Sequence, residues 1–443
     1  MNPIVWLMIV LFLMDQFIPV PFAAQLLFWS SLTVMLASAY RSTRLPKWFS
    51  MVMITGGTVI LTYQGAGPEI WENAVLKNLP IICLIIAAPL LAIIIRQGGY
   101  DDAIISLVGK MKGSMKLLFS SLLLLFNLVG PATNLGSITL IHTMMEKLKL
   151  PAEFLARVYT RGFSSINTWS PYFASVVLVI YYLDLPFVSF LPFGLLLCFF
   201  QVLLSGLLFS VREGSLIKYR LPGLSSEMQT GKLFELALIM ISLIALIFVL
   251  EPLLNVNSSV LIVIVLILFP VCWSLMKRMF IPFVLQAEKI GLTVIQRQSN
   301  EISLFFSAGF FSVALAGTPL SGMLNHLWDW LAEQSILLLI VFTILLVALS
   351  AFAGVHQIVT ISSILVSVSP AGVGLDPVTF AMTLLSAWAI GSIVSPVAPM
   401  NVITSNLLKV SVYRIILRWN LSYAILLAGT HSVLIYVVHL LVG

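Results

Sequence analysis

The sequence predicts a polytopic α-helical membrane protein, and three features of its composition and patterning support this class. Of the 443 residues, 60% are hydrophobic and only 9% are charged, whereas a soluble domain carries roughly 25% charged residues. Apolar runs long enough to cross a bilayer, about 20 residues each, recur along the whole chain. These runs lack the alternating polarity of membrane β-strands. The composition therefore excludes a soluble enzyme, a nucleic-acid-binding protein and a disordered protein.

Eleven apolar runs are expected to span the membrane. The net charge of +6 comes from short basic clusters between the runs, as is typical of cytoplasmic loops. The first run has no basic residues before it, so it is interpreted as a retained span rather than a signal peptide. The spans are expected at about 3–20, 22–40, 49–63, 79–95, 156–186, 187–210, 233–250, 258–276, 302–318, 378–408 and 419–441.

The segment at about 117–143 is expected to form a re-entrant helical hairpin. Basic residues flank it on both sides, and Gly130 and Pro131 interrupt its middle. Gly and Pro together stop a helix. Each arm of about a dozen residues is about 18 Å long, too short for a hydrocarbon core of about 30 Å. The alternative is a single span kinked at Pro131, which would place several basic clusters outside.

The second half of the chain repeats this pattern. The run at about 336–365 contains Gly354, His356 and Gln357 in its middle. Landmarks after the two hairpins agree in spacing when Gly130 is aligned with Gly354. The matched pairs are Pro151 with Pro377 and Ser170 with Ser395.

The basic residues indicate that the two halves are inverted. No Lys or Arg occurs between Arg297 and Lys409, so the second hairpin is expected to enter from the outside. The N-terminus is then inside and the C-terminus outside. The predicted organisation is an extra span at 1–21, a first repeat at 22–210, a cytoplasmic linker at 211–232, and a second repeat at 233–443 with an interfacial segment at about 277–300.

Two spans, at about 156–186 and 378–408, carry polar clusters beside Pro171 and Pro396. Each Pro removes a backbone donor and clashes with the preceding turn, so each span is expected to unwind there. Unwound carbonyls can coordinate a cation, and the N–H groups that begin the next half-helix favour an anion. Inverted repeats with broken helices at the midplane are typical of secondary transporters.

In this order of hairpin, broken helix, hairpin and broken helix, the chain resembles the ion transporter superfamily, in its divalent anion/sodium symporter-like architecture. The resemblance covers about 22–441. It implies that the hairpin tips, here Pro131-Ala-Thr133-Asn134 and Gly354-Val-His356-Gln357, complete the substrate and sodium sites together with the unwound helices. It also implies a homodimer, with an elevator motion in which one bundle carries the site past a fixed scaffold.

The predicted site residues come from these four polar clusters. The substrate-binding candidates are Thr133, Asn134, Asn167, Thr168, His356, Gln357, Ser395 and Asn401. The candidates for the coupling ion are Ser164, Ser165, Asn167, Ser392, Ser395 and His356. The alternative is that Ser and Thr bond back to their own helix and that Asn or His only caps a helix end. Two basic residues, Arg157 and Arg161, are expected near the cytoplasmic mouth.

These features predict a secondary active transporter of a small anionic solute in the bacterial inner membrane, driven by a sodium or proton gradient. No catalytic set, metal-ligand spacing or phosphate-binding loop occurs in the sequence, so neither enzyme activity nor a cofactor is expected. The alternatives are a cation/proton antiporter on the same fold, a passive channel and a membrane-embedded enzyme. A channel should show a continuous polar stripe, whereas polarity here is concentrated at four breaks.

Overall fold

The computed structural model of the protein describes residues 2–18, 21–100, 103, 114–146, 148–214, 230–254 and 256–442. Every regular element in these ranges is helical. Eight helical stretches among the described residues are long and apolar enough to cross a membrane, or nine if one strongly bent pair counts as a single span, compared with the eleven spans expected. The predicted class, a polytopic all-α membrane protein, is confirmed.

The first half of the chain contains a series of helices that ends in a short π-helical turn, Phe209–Glu213. The described helices are α1 (Asn2–Asp15), α2 (Pro21–Arg41), α3 (Arg44–Tyr63), α4 (Pro68–Leu76), α5 (Leu79–Ala87), α6 (Pro89–Gln97), α7 (Met115–Thr133), α8 (Gly136–Glu146), α9 (Ala152–Ile166), α10 (Ala174–Tyr182) and α11 (Phe187–Leu208).

The second half begins after the predicted linker, most of which lies outside the described residues. A second π-helical segment, Arg414–Asn420, leads into its last helix. The described helices are α12 (Thr230–Leu254), α13 (Ser258–Met276), α14 (Phe280–Leu315), α15 (Pro319–Gln334), α16 (Ile336–Phe352), α17 (Gln357–Ser367), α18 (Pro377–Val394), α19 (Pro399–Leu408) and α20 (Leu421–Val442).

Several predicted boundaries differ from the observed helices. The span predicted at 79–95 belongs to a 30-residue apolar stretch divided into α4, α5 and α6, because Pro80 and Pro89 each begin a new helix. The segment predicted at 277–300 is not separate from the next span, since α14 is one continuous helix of 36 residues. Such a helix is about 54 Å long, so it extends well beyond a hydrocarbon core of about 30 Å.

In the first hairpin the helix break lies at Asn134, not at Gly130 and Pro131. Asn134 has a positive φ of +48°, which Asn adopts more readily than most residues other than glycine. Pro131 lies within the last turn of α7, where its fixed φ fits the helix and a single backbone bond is lost.

The arms of the first hairpin fold back on each other, as aromatic contacts with α9 show. The rings of Phe119 and Phe154 lie 5.8 Å apart, and those of Phe126 and Tyr159 lie 6.1 Å apart. The helices α7 and α9 therefore run parallel. Because α8 is the helix that connects them, it must return the chain to the end at which α7 began.

The second hairpin has the same form, with its break at 353–356. The hydroxyl groups of Ser350 and Thr360, on opposite arms, lie 2.9 Å apart. A Cβ atom at Gly374, beyond the end of α17, would lie 3.9 Å from Ile336 Cδ1 at the start of α16. The open ends of the two arms are thus neighbours.

The two halves of the chain make corresponding contacts. The second arm of each hairpin packs against the second half of the other broken helix, α8 against α19 and α17 against α10. The two broken helices, α9–α10 and α18–α19, also pack against each other. These contacts join each hairpin to the broken helix of the other half, while a common meeting point of the four helix breaks and the inverted orientation of the repeats stay predictions.

Candidate functional site

Each hairpin tip lies against the broken helix of its own half. A Cβ atom at Gly130 would come within 2.1 Å of Ile166 Cδ1, so no larger residue fits there without a shift. At the other tip, Gly354 has a φ of +96°, and a Cβ atom would lie 4.0 Å from Val397 Cγ1. Glycine at the first tip allows close approach, and at the second it allows the backbone to turn.

Asn127 organises the first break, although it is not among the predicted site residues. Its side-chain amide donates to Ser165 Oγ at 2.9 Å, and its carbonyl oxygen accepts from Trp169 Nε1 at 2.9 Å. Gln201 of α11 donates from Nε2 to Ser164 Oγ at 2.8 Å. Two of the predicted coupling-ion residues, Ser164 and Ser165, are therefore fully buried and bonded to neighbouring side chains.

Two predicted substrate ligands bond back to their own backbone. The hydroxyl of Thr133 donates to the Val129 carbonyl at 2.8 Å, and that of Thr168 donates to the Ser165 carbonyl at 2.8 Å. The Asn167 carbonyl accepts from Ser175 Oγ at 3.1 Å. These contacts agree with the alternative in which the polar side chains bond to nearby backbone groups rather than to a solute.

Asn401 has the corresponding role at the second break. Its side-chain nitrogen lies 3.0 Å from the Ser392 carbonyl, 3.1 Å from that of Ile393 and 2.9 Å from that of Ser395. The unwound carbonyls predicted to bind a cation are therefore contacted by a buried amide. Close by, Ser395 Oγ and Gln357 Nε2 are buried without a hydrogen-bond partner among the described residues.

A cavity of about 530 Å³ lies between the second hairpin tip, the second helix break and the helices α3 and α14. The second hairpin tip, α3 and α14 each contribute polar or charged side chains to its wall. Its lining consists of Thr43, Arg44, Leu45, Pro46, Phe49, Asn300, Glu301, Leu304, Gly354, His356, Pro396, Val397, Pro399, Val402 and Ile403.

Of the predicted site residues, His356 lines this cavity, and the others lie outside its lining. His356 caps α17, since its Nδ1 accepts from the Ile358 N–H at 3.3 Å, and its ring lies edge-on to Trp388 at 6.5 Å. The residues outside the lining are Thr133, Asn134, Ser164, Ser165, Asn167, Thr168, Gln357, Ser392, Ser395 and Asn401. Their role in binding stays a prediction.

Three helices begin at the cavity. Thr43 and Arg44 start α3, His356 precedes α17, and Pro399 starts α19. Each helix N-terminus carries about half a positive charge, and Arg44 adds a full one. Glu301 in the same wall carries a negative charge, and Gly354 and Pro396 follow the C-terminal ends of α16 and α18, each with about half a negative charge. The rest of the wall is largely apolar.

Glu301 is a lining residue that the sequence analysis missed. It follows directly on the predicted interfacial segment and precedes an apolar run, and an ionisable residue at such a position is a functional candidate by default. The convergence of three helix N-termini has no local sequence signal.

The two arginines of α9, which are predicted near the cytoplasmic mouth, lie in a buried ion cluster. Arg161, with its side chain 0% exposed, donates to both carboxylate oxygens of Glu213 at 2.8 and 2.7 Å. Arg157 lies 2.7 Å from Glu153 and 3.4 Å from Glu213. Asn420 Oδ1 accepts from Arg161 Nε at 3.0 Å. The two π-helical segments thus meet at α9, and the four charges of the cluster balance.

No family model matches the sequence, and the search of curated proteins found no match either. The fold is similar to that of the YdaH transporter of Alcanivorax borkumensis, whose crystal structure has been described as revealing an unusual topology. The two chains superpose with a TM-score of 0.60 at 14% identity, over 89% of this chain and 97% of that one. The similarity therefore concerns the whole fold.

Proposed function

We propose that the protein is a secondary active transporter of a small organic anion, driven by a sodium or proton gradient. The convergence of the N-termini of α3, α17 and α19 with Arg44 on one largely apolar cavity carries this proposal. The three N-termini and Arg44 together supply about two and a half positive charges, and Glu301 with the C-terminal ends of α16 and α18 supplies about two negative ones. The small positive excess suits a solute with a single negative charge. The similarity in fold to a transporter supports the same class.

The position of the cavity supports an elevator motion. One wall is formed by α3 and α14, which pack against each other, and the other by the second hairpin tip and the second broken helix. A solute in the cavity would therefore touch two bodies. Movement of the hairpins and broken helices as one bundle against α3 and α14 would open or close the site. The proposed assembly is a homodimer in the inner membrane.

The first experiment measures uptake into proteoliposomes of monocarboxylates, dicarboxylates, sulfate and phosphate, with sodium and pH gradients varied independently. We expect gradient-driven uptake of a monovalent organic anion. Replacing Arg44 with Gln should raise its KM about tenfold or more, because a charge-assisted hydrogen bond contributes about 1.5–3 kcal/mol. Arg41→Gln removes the same charge three residues earlier, at the end of α2 and outside the cavity lining, and should leave KM unchanged. Equal KM values in the two variants, or no uptake under either gradient, would contradict the proposal.

The coupling ion is tested separately at His356. If protons drive transport, His356→Gln should abolish pH-driven uptake while solute exchange continues, because His can titrate near neutral pH and Gln cannot. If pH-driven uptake persists unchanged, His356 is not the carrier, and Glu301→Gln tests the remaining titratable group of the cavity. Uptake that follows only the sodium gradient in every variant would assign sodium instead.

Glu301 also gives a specific reason to test whether the protein is instead a cation/proton antiporter. A carboxylate facing a membrane cavity is a cation ligand as well as a proton carrier. An antiporter would collapse an imposed pH gradient when sodium or potassium is added, without any organic solute. A transporter of organic anions would not.

A further inference from the structure

A second cavity, of about 740 Å³, lies between the end of α6 and the first half of α14. Three cations line it, Arg96, Lys289 and Arg297, and no acidic side chain does so among the described residues. The C-terminal end of α6 contributes only about half a negative charge. The described lining of this cavity, called the basic cleft below, is therefore positively charged.

The length of α14 places the basic cleft near the membrane surface. Within α14 the segment Gln296–Leu315 qualifies as part of a membrane span only together with the strongly bent helix α15. The turns that contribute Lys289 and Ile290 precede this segment and, in a helix of about 54 Å, extend beyond a hydrocarbon core of about 30 Å. The outer surface of these turns is apolar, since Ile281 is 73% and Leu285 54% exposed. A helix with such a surface lies against lipid.

The walls of the basic cleft combine apolar and uncharged polar groups. Pro89, Ala92 and Ile93 form an apolar side, and Gln97 and Gln298 supply amides. Both polar atoms of the Gln97 amide, and the carbonyl oxygen of Gln298, are buried and have no hydrogen-bond partner within the described part of the chain. Buried polar groups are normally paired, so these amides lack the partners that a polar ligand would provide.

We infer that the basic cleft binds an anionic phospholipid of the phosphatidylglycerol type through its hydroxylated headgroup. The three cations contact the phosphodiester, and the glutamine amides bond to its oxygens and to the glycerol hydroxyls. The apolar side holds the start of an acyl chain. A free inorganic anion would use the cations but not the apolar wall. This site does not depend on which solute the protein transports.

The test uses the full-length protein in detergent and native mass spectrometry with added dioleoyl phosphatidylglycerol or dioleoyl phosphatidylcholine. A basic residue near an anionic membrane surface is worth about a factor of five in binding. Three of them should favour phosphatidylglycerol about 100-fold. The variant with Arg96, Lys289 and Arg297 replaced by Gln should lose this preference.

The matched control replaces Lys116, Arg278 and Arg418 with Gln, which removes three exposed charges outside the basic cleft and should keep the preference. Should the first triple variant fail to fold, Ala92→Trp fills the cleft without changing its charge and is expected to lose phosphatidylglycerol in the same way. Retention of phosphatidylglycerol by the cleft variants would overturn the inference. Displacement of the lipid by millimolar inorganic phosphate would also overturn it, in favour of a site for a soluble anion.

Discussion

The buried ion cluster makes a sharp prediction about stability at Glu213. Its carboxylate accepts two hydrogen bonds from Arg161, at 2.8 and 2.7 Å, and lies 3.4 Å from Arg157. The side chain of Glu213 is 7% exposed and that of Arg161 is 0% exposed. Glu213→Gln keeps the shape of the side chain but removes its charge, so the balanced cluster becomes a buried net charge of one.

Removing one partner of a buried ion pair typically destabilises a protein by about 3–5 kcal/mol, because the other charge is left uncompensated. In this cluster Arg161 keeps its bond to Asn420 and its contact with the Tyr423 ring, 4.4 Å from the guanidinium carbon. The amide oxygen of Gln can still accept one hydrogen bond. We therefore expect a loss of about 3 kcal/mol, at the lower end of the range.

The assay is reversible unfolding of the purified protein in mixed micelles with increasing denaturing detergent, followed by circular dichroism. Lys277→Gln is the control, because its pair with Glu235 has side chains 46% and 31% exposed, and such pairs contribute about 0–1 kcal/mol. If Glu213→Gln lowers the free energy of unfolding no more than Lys277→Gln does, the cluster does not stabilise the fold as argued.

Two further predictions concern topology and helix packing. Cysteines placed at Ser114 and Glu146, at the open ends of the first hairpin, should be labelled from the cytoplasmic side, and a cysteine at Glu333 from the outside. Labelling of positions 114 and 146 from opposite sides would mean that the segment is a single span. Gly162→Leu should destabilise the protein by about 1–3 kcal/mol in the same unfolding assay, because a Cβ atom there would lie 2.6 Å from the Phe126 ring. An unchanged free energy of unfolding would show that the ring can move aside.

Much of the fold could be predicted because its signals are local. Apolar runs define the membrane helices, and Pro171 and Pro396 mark breaks that the structure shows between α9 and α10 and between α18 and α19. The first hairpin shows the limit of such signals, since Pro131 is tolerated in the last turn of α7 and the chain turns at Asn134 instead. The continuity of α14 through Asn300 and Glu301 was likewise not evident from its polar pattern.

The sequence by itself determined the membrane class and the breaks at Pro171 and Pro396 with their polar residues, because these depend on composition and on backbone chemistry within a few residues. Only the tertiary structure decided which of these groups meet. Arg161 pairs with Glu213 and with Asn420, 259 positions away, and the starts of α3, α17 and α19 come together from distant parts of the chain. The electrostatic character of the cavity arises from helix ends and from packing between elements, and neither is encoded in the spacing of neighbouring residues.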